Sequence, residues 1–334
     1  MKLNIVDDNK SVEKSEDEFS FGDIETNELN ENANGGTEMM QRQLAARLDP
    51  DLLDKFQIIP SRVRNLDPKK KKIYWVHDLF GDPEVQHLRD GGWDKFDKIV
   101  YVSYWQKATY ELALGIPPSK GTVLQNAIEP FEEHEKPKDR INLIYHTTPH
   151  RGLELLYPVY EAISEEFGDK VHLDVFSSFN AYGWPQRDEP YKELFQKLED
   201  HPHITYHGYQ PNEVVREALT KAHIFAYPSI WQETSCIAAI EAMAAGCLTV
   251  TSTLGALPET CANWAWLYPN DEDANRNANM FYGSLRTAVA SYWDNDIQVS
   301  LHNQAAYFNL FYNWSFRANQ WKGLLKGLSA TGDQ

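Results

Sequence analysis

One stretch, IFAYPSIWQETSCIAAIEAMAAGCLTVT at residues 224–251, is the clearest guide to the class of fold. It begins with the apolar run Ile224–Tyr227, continues with helical spacing at Thr234–Ala245, and ends in a second apolar run at Leu248–Thr251. Neither apolar run alternates with polar residues, which is typical of strands that are covered on both faces in a parallel sheet. The stretch therefore predicts a β-α-β unit.

The same alternation of apolar runs and helical segments extends along the chain. The other strand-like runs are Lys2–Val6, Phe56–Ile59, Ile73–Val76, Lys98–Val102, Ile141–Tyr145, Val171–Phe176, Ile204–Tyr206 and Ala265–Tyr268. The other segments with helical spacing are Thr37–Leu48, Leu153–Phe167, Glu213–Ala222 and Tyr307–Leu328. We therefore expect an α/β protein with two parallel sheets.

A charged stretch divides the predicted sheets. The sequence EPFEEHEKPKDR at residues 129–140 contains two prolines and has little to bury, which is typical of a linker between domains. We expect one domain at residues 1–130, a linker at 131–140 and a second domain at 141–306. Residues 307–334 are then expected to form a helix that packs on the rest of the protein.

Composition argues against several classes of protein. The 334 residues include 32 Lys and Arg but 49 Asp and Glu, a formal net charge of −17. Proteins that coat nucleic acid or bind an anionic membrane need a basic face. The three cysteines form no closely spaced pair, which argues against a disulfide scaffold and a zinc ribbon. Because no apolar run has the length of a membrane span, we expect a cytoplasmic protein.

An acidic segment follows the first predicted strand. Asp7–Glu31 contains ten acidic and two basic residues, so it is expected to be a long solvated loop. A loop in this position lies at the carboxyl edge of a parallel sheet, where ligands bind. A role at that edge and a loop without a role both remain open.

A pair of glycines opens the first helical pattern. In Asn34-Gly35-Gly36-Thr37-Glu38 the glycines allow close approach of backbone N–H groups, and the start of a helix favours anions. The segment is either a phosphate site or an ordinary turn into a helix. It contains neither a GxGxxG fingerprint nor a Walker A loop.

Glu233 and Glu241 are separated by seven residues. On one helix their carboxylates would lie about 80° apart around the axis and about 12 Å apart along it. Glu233 is expected in the loop or the first turn after Tyr227–Ser229, and Glu241 two turns into the helix. Two separated acceptors suit the hydroxyls of a sugar and of a ribose. They are too far apart for a glycosidase acid/base pair, which needs roughly 5–10 Å. Two unrelated surface glutamates are the alternative.

At this point the sequence resembles a known family. Tyr227–Glu233 together with Ile240–Gly246 is similar to the E-x7-E signature of retaining GT-B glycosyltransferases of family GT4. Gly35–Glu38 looks like the glycine pair that meets the donor pyrophosphate in that family. Four further segments are similar to parts of that family. In the first domain this is the asparagine-bearing strand end at Val123–Ile128. In the second domain they are the first strand and basic loop at Ile141–Leu156, the nucleotide-side loop at Tyr206–Tyr209, and Thr251–Glu259, which leads to a Pro-Glu turn.

The resemblance implies a GT-B fold, in which two Rossmann-like domains with parallel sheets face a central cleft. The first domain would bind mainly the acceptor and the second mainly the nucleotide sugar, with the last helix returning to the first domain. The implied activity is retaining transfer of a hexose to a hydroxyl acceptor, without a metal or a cofactor and with a UDP- or GDP-sugar as donor substrate. We expect a glycan or a small polar acceptor and no nucleic acid partner, and the oligomeric state is left open.

The resemblance also assigns roles to individual residues. Glu241 is expected to hold the ribose hydroxyls, and Arg151 to neutralise the pyrophosphate. The expected donor-binding residues are Gly35, Gly36, Arg151, Tyr209, Glu233, Thr234, Ser235, Cys236 and Glu241. The expected catalytic residues are His77, Arg151 and Glu233. His77 and Asp78 follow a predicted strand and are expected to meet the acceptor, although His77 is also compatible with a hydrogen-bonded core histidine.

Two departures from the family pattern bear on activity. The family usually has a second cation before the lysine-like Arg151, and here His146 or Thr147 takes that position. Thr234–Cys236 replaces glycines that often follow the first glutamate. The weaker cation set keeps an alternative open, in which the chain is a GT-B sugar-nucleotide-binding protein or an epimerase without transferase turnover.

Overall fold

The computed structural model describes residues 35–330 of the chain. The predicted strand Lys2–Val6 and the acidic segment Asp7–Glu31 lie outside the described residues. Within 35–330 the protein is α/β, and every strand pairing is parallel. This confirms the predicted fold class.

The N-terminal domain is built on a sheet of four strands. Its strands are β1 (Phe56–Pro60), β2 (Lys71–Val76), β3 (Lys98–Tyr101) and β4 (Gly121–Val123), and its helices are α1 (Gly36–Ala45), α2 (Pro50–Leu53) and α3 (Tyr104–Leu114). The sheet order is β1-β2-β3-β4. The strand β4 was not predicted, because its three residues are only partly buried and form no apolar run.

The C-terminal domain is built on a sheet of six strands. Its strands are β5 (Ile141–Tyr145), β6 (Val171–Val175), β7 (Ile204–Tyr206), β8 (Ile224–Tyr227), β9 (Leu248–Ser252) and β10 (Trp266–Tyr268). Its helices are α4 (Leu153–Phe167), α5 (Lys192–Asp200), α6 (Asn212–Lys221), α7 (Ile237–Ala244), α8 (Leu257–Thr260), α9 (Ala274–Ser291) and α10 (Asn295–Phe311), followed by α11 (Trp314–Ala330). The sheet order is β10-β9-β8-β5-β6-β7. This is the doubly wound order, and it places a ligand crevice where β5 and β8 diverge at their carboxyl ends.

The predicted strands inside the described residues are all strands, but two predicted helix boundaries were wrong. The helix predicted at Thr234–Ala245 begins only at Ile237, because Cys236 has a left-handed backbone with φ of 68°. The helix predicted at Thr37–Leu48 is α1, which ends at Ala45.

The helical segment Tyr307–Leu328 is split between two helices. α10 ends at Phe311, and the side chain of Asn313 accepts a 2.7 Å hydrogen bond from the Phe316 backbone, which caps the start of α11. α11 then packs on the N-terminal sheet, where the Trp321 ring lies 4.9 Å from the ring of Trp75. The last described helix therefore belongs to the core of the first domain.

The chain passes between the two domains twice, and the two connecting segments run side by side. Ile128 pairs with Asn313, and the Ile128 amide donates a 2.8 Å hydrogen bond to the Tyr312 carbonyl. The segment after β4 and the elbow between α10 and α11 therefore support each other. No helix found between residues 35 and 330 combines the length and the apolar character that a membrane crossing requires.

Candidate active site between the two domains

The carboxyl ends of strands from both sheets meet at the cleft. His77 follows β2 of the first domain, Arg151 follows β5, and Glu233 follows β8 of the second domain. The Thr234 hydroxyl donates a 2.8 Å hydrogen bond to the His77 carbonyl, which joins the two edges directly. The cleft is therefore bordered by residues that the sequence predicted on both sides.

Arg151 and Glu233 form an ion pair in which the Glu233 side chain is buried and the Arg151 side chain is 21% exposed. The Nη1 atom of Arg151 donates to Oε1 of Glu233, and the Tyr227 hydroxyl donates to the same oxygen at 2.5 Å. Burial works to lower the pKa of Arg151, but attraction to the Glu233 carboxylate outweighs it and raises that pKa above its usual value. Arg151 is therefore a permanent positive charge at the base of the cleft.

Two glycines hold the loop that carries Glu233. Gly152 has φ of 131°, and a Cβ atom there would lie 2.2 Å from the Pro228 carbonyl oxygen. Gly255 has φ of 66°, and a Cβ atom there would lie 2.6 Å from the backbone N and O of Glu233. The Ala256 amide also donates a 2.7 Å hydrogen bond to the Glu233 carbonyl. Close backbone contact from two sides therefore fixes Glu233.

The starts of two helices meet across the cleft. α7 begins after the left-handed turn at Cys236, and a Cβ atom on Gly36 of α1 would lie 3.0 Å from Cδ1 of Ile237. A Cβ atom on Gly35 would lie 2.8 Å from the ring of Tyr182. Each helix start presents unpaired N–H groups and a partial positive charge, so the two together favour an anion.

Glu241 lies within α7 and has its own partners. Its carboxylate accepts hydrogen bonds from Arg216 at 3.1 Å and from Asn212 at 3.3 and 3.2 Å. Burial raises the pKa of Glu241, and these two partners act against that shift. Glu241, Arg216 and Met40 of α1 border a cavity of about 40 Å³. Of the two positions expected for Glu233, the loop and the first turn of the helix, the structure shows the loop, so the separation calculated for two glutamates on one helix does not apply.

The remaining residues predicted to bind the donor lie in the loops that surround this region. Tyr209 is partly buried in the loop between β7 and α6, just before Asn212. Ser235 is buried, and its carbonyl accepts a 2.5 Å hydrogen bond from the Thr260 hydroxyl. Cys236 is buried as well, and burial raises the pKa of its thiol well above the usual value, so the thiol stays protonated.

His77 and Asp78 border the cleft from the first domain. Both ring nitrogens of His77 are buried, and burial lowers the pKa of His77 to about 3 against the opposing effect of a hydrogen bond with the Trp75 backbone. A role toward the acceptor and a hydrogen-bonded core histidine are both compatible with this position. Burial also raises the pKa of Asp78, and its backbone carbonyl is held by Gln106 and Tyr110 at 2.9 Å each.

His146, at the position of the family's second cation, carries no charge at neutral pH. Its ring lies 4.8 Å from the ring of Phe225, and burial lowers its pKa to about 3. His150 is neutral too, since burial and the nearby Arg151 lower its pKa to about 4. Neither histidine supplements the charge of Arg151.

Four contacts of the site were missed from the sequence. Three are polar and involve Asn212, Arg216 and the hydroxyl of Tyr227, and the fourth is made by the ring of Tyr182. Arg216 lies on the predicted helix Glu213–Ala222 and Asn212 one residue before it, four positions apart, so a shared face was a usable signal. Nothing in the sequence indicated that Tyr182 reaches the glycine of the other domain.

Comparison with known proteins fits this arrangement. Residues 126–280 match the family model described as Glycosyl transferases group 1, and the match spans β5 to β10, Arg151, Glu233 and Glu241. This part of the chain is similar to the group 1 glycosyltransferases. The predicted resemblance to GT-B glycosyltransferases and the predicted class of enzyme are confirmed at this level.

Solved structures share the fold of this chain. A glycosyltransferase from Rickettsia africae aligns with a TM-score of 0.64 and 15% identity over 91% of this chain and 84% of that one. A sucrose-phosphate synthase from Thermosynechococcus elongatus aligns with a TM-score of 0.62 and 17% identity, over 79% of this chain and 69% of that one. HepE from Anabaena, solved in complex with UDP-glucose, aligns with a TM-score of 0.60 and 13% identity over 77% and 72% of the two chains.

Two curated relatives match part of this chain. Each is named as one of the subunits of phosphatidylinositol N-acetylglucosaminyltransferase. The human protein is 24% identical over 197 residues, 56% of this chain, and the Arabidopsis thaliana protein is 26% identical over 200 residues, 57% of this chain. The matches cover 39% and 43% of those proteins, so the chain spans about two fifths of the length of the curated relatives it matches.

Proposed function

We propose that this protein transfers a sugar from a nucleoside diphosphate sugar to a hydroxyl acceptor and retains the anomeric configuration. The observation that carries the proposal is the position of Arg151, which is partly buried and paired with Glu233 in the cleft where the starts of α1 and α7 meet. A permanent cation and two helix starts suit a diphosphate that gains charge as it leaves.

The proposed catalytic task is stabilisation of the leaving diphosphate. Arg151 offers planar guanidinium donors, and the amides of Gly35, of Gly36 and of the loop Thr234–Cys236 before α7 offer further N–H groups. These groups belong to the protein itself, so the proposed mechanism requires no metal ion. The ion pair to Glu233 keeps the guanidinium in place before the donor arrives.

The two glutamates are proposed to bind different parts of the donor. Glu233 lies beside Arg151 and next to the donor diphosphate, so its carboxylate is placed for the hydroxyls of the transferred sugar. Glu241 lies deeper, beside α6, and is placed for the ribose. A carboxylate has about four acceptor positions, so Glu241 retains capacity for ribose hydroxyls beside its bonds to Arg216 and Asn212.

The acceptor is proposed to enter from the first domain, beside His77 and Asp78. A neutral imidazole both donates and accepts a hydrogen bond, so the His77 ring suits a hydroxyl group. The Glu233 carboxylate is already engaged by Arg151 and Tyr227, which makes it a poor nucleophile. We therefore propose a front-side displacement in which a phosphate oxygen takes the proton of the acceptor.

The donor is tested first, because ligand binding raises thermal stability by mass action. Melting temperatures are measured with UDP-glucose, UDP-N-acetylglucosamine, UDP and two GDP-sugars. The names of the curated relatives make UDP-N-acetylglucosamine the first donor to test and phosphatidylinositol vesicles an acceptor to test beside soluble glycans. Arg151→Gln is the test variant, and Arg286→Gln, which breaks the exposed pair with Glu166, is its matched control.

Turnover then separates transfer from binding alone. Release of nucleoside diphosphate that depends on an acceptor, with retention seen by NMR of the product anomer, supports the proposal. Binding of a nucleotide sugar without acceptor-dependent release supports the sugar-nucleotide-binding alternative, and conversion of the sugar without an acceptor supports an epimerase. If no nucleotide sugar shifts the melting temperature of the unmodified protein, the proposal is wrong.

A further inference from the structure

A glutamate of the second domain binds the start of a helix in the first domain. Oε1 of Glu259 accepts a hydrogen bond from the Tyr104 amide, and Oε2 accepts one from the Trp105 amide, each at 2.8 Å. Tyr104 and Trp105 are the first two residues of α3. Glu259 lies in α8, at the end of the Pro-Glu turn for which the sequence suggested no role.

The chemistry of this contact is specific. The first N–H groups of a helix have no partner within the helix, and their partial positive charge favours a carboxylate. Ser103 caps α3 from its own domain, but its hydroxyl accepts only from the Gln106 amide, at 3.0 Å. The amides of Tyr104 and Trp105 are therefore satisfied by Glu259, across the cleft, through two charge-assisted hydrogen bonds.

The other side of α8 contacts the loop that carries the donor-side residues. The Ala256 amide, one residue before α8, donates to the Glu233 carbonyl at 2.7 Å. The Thr260 hydroxyl donates to the Ser235 carbonyl at 2.5 Å. Glu259 lies between these two bonds in the sequence, so a movement of α8 away from α3 would carry Glu233 and Ser235 with it.

We propose that Glu259 is a positioning residue that fixes the two domains relative to each other and thereby places the Glu233–Ser235 loop against the acceptor side. The catalytic consequence rests on the proposed transferase function, whereas the domain contact does not. Glu259 touches neither the proposed donor groups Arg151 and Glu241 nor the reacting atoms. Its loss should therefore act on the alignment of bound substrates more than on the affinity for the donor.

The domain contact is tested by amide hydrogen exchange on the unmodified protein and on Glu259→Ala and Glu259→Gln. In Glu259→Ala, exchange at Tyr104 and Trp105 should accelerate by about tenfold or more, because both acceptor oxygens are removed. Glu259→Gln keeps one carbonyl oxygen and should accelerate exchange less. Glu272→Ala, at an exposed glutamate of the same domain, is the matched control and should leave these amides unchanged. Unchanged exchange in Glu259→Ala overturns the proposal.

Kinetics test the consequence for the reaction. Glu259→Ala should lower kcat by about tenfold or more with the KM for the donor within about twofold, and Glu259→Gln should recover part of kcat. Ser103→Ala weakens the cap of α3 without touching the domain contact. It should therefore lower the melting temperature but leave kcat close to that of the unmodified protein. If the α3 amides of Glu259→Ala exchange faster but its kcat stays within about twofold of the unmodified value, the positioning role is overturned. If the unmodified protein shows no turnover, the proposed function fails, and the exchange experiment alone decides whether Glu259 fixes the domains.

Discussion

The hydroxyl of Thr234 lies 2.8 Å from the backbone carbonyl oxygen of His77, and the bond between them joins loops that follow strands of two different sheets. Thr234 stands at the position where the related family often has glycine. A glycine has no hydroxyl to donate, so this contact is a property of the present sequence. It sets the distance between the proposed donor sugar and acceptor sides of the cleft.

Replacement of Thr234 by Val removes that hydrogen bond while it keeps the shape of the side chain. We expect kcat to fall by about tenfold, since one hydrogen bond of roughly 1 kcal/mol no longer aligns the two sides. Steady-state kinetics with the donor identified by thermal shift provide the measurement. Thr234→Ser retains the hydroxyl and serves as the control. Equal kcat values for the Val and Ser variants would contradict the role of the bond.

Replacement of Arg151 tests the charge at the leaving group. Arg151→Ala should lower kcat by about 10² to 10³, the range found when one transition-state donor is removed. Arg151→Lys should recover part of that loss, because it restores the charge but not the planar pair of donors. Arg286→Ala is the control, since Arg286 forms an exposed ion pair with Glu166 in the same domain. A loss that is equal for Arg151→Ala and Arg286→Ala would rule out a special role for Arg151.

Glu241 is expected to govern the affinity for the nucleotide. Glu241→Gln should weaken donor and nucleoside diphosphate binding by about tenfold or more, because charged acceptors bind ribose hydroxyls more strongly than neutral ones. Isothermal calorimetry with the nucleoside diphosphate measures this without turnover. Glu217→Gln on α6, where the glutamate pairs with Lys221 at the exposed surface, is the control. Donor affinity that is unchanged in Glu241→Gln would count against the ribose role.

The sequence predicted the sheets better than it predicted the contacts within the site. Apolar runs such as Ile224–Tyr227 mark buried strands because burial on both faces requires them. The spacing of Glu233 and Glu241 left Glu233 in either the loop or the first turn of the helix, and the left-handed backbone of Cys236 leaves it in the loop. Such a backbone is rare for a residue with a Cβ atom, so no propensity rule pointed to it.

The partners of the site residues depend on the folded arrangement. Arg151 and Glu233 are distant in the sequence and meet only because β5 and β8 are neighbours in the sheet. Glu241 meets Arg216 because α6 packs beside α7. Sequence periodicity identifies which faces are buried, but the residues that face each other are set by the order of the strands and the packing of the helices between them.

Buried neutral histidines make the protein sensitive to acid. Burial lowers the pKa of His77 and of His146 to about 3, whereas an unfolded histidine titrates at about 6.5. Between these values the unfolded chain binds protons that the folded protein does not. The stability from each histidine is therefore complete above about pH 6.5 and falls by up to about 1.4 kcal/mol per pH unit toward pH 3. Burial raises the pKa values of Asp78 and Glu241, so their contributions to stability fall as the pH rises.

The contribution of one histidine is measured by comparison with a variant. Denaturant unfolding of the unmodified protein and of His146→Gln, at several pH values from about 7.5 to about 5, gives two curves of unfolding free energy against pH. The difference between the curves should shrink as the pH falls, because only the unmodified protein loses the contribution of His146. Parallel curves would show that His146 titrates alike in the folded and unfolded states.

Gly255 is expected to be required for the loop that positions Glu233. Alanine at this position must adopt φ of 66° and would place its Cβ atom 2.6 Å from the Glu233 backbone, so the loop has to move. Gly255→Ala should therefore destabilise the protein by more than about 1 kcal/mol and also lower kcat, since Glu233 and Arg151 shift together. Gly283→Ala makes the same chemical change inside α9, where a Cβ atom would have no neighbour within 4 Å. There alanine should be neutral or stabilising by up to about 1 kcal/mol, because it favours the helix. Similar unfolding free energies and similar kcat values for the two variants would mean that the Glu233 loop tolerates displacement, and the close backbone contact would then not be what positions the glutamate.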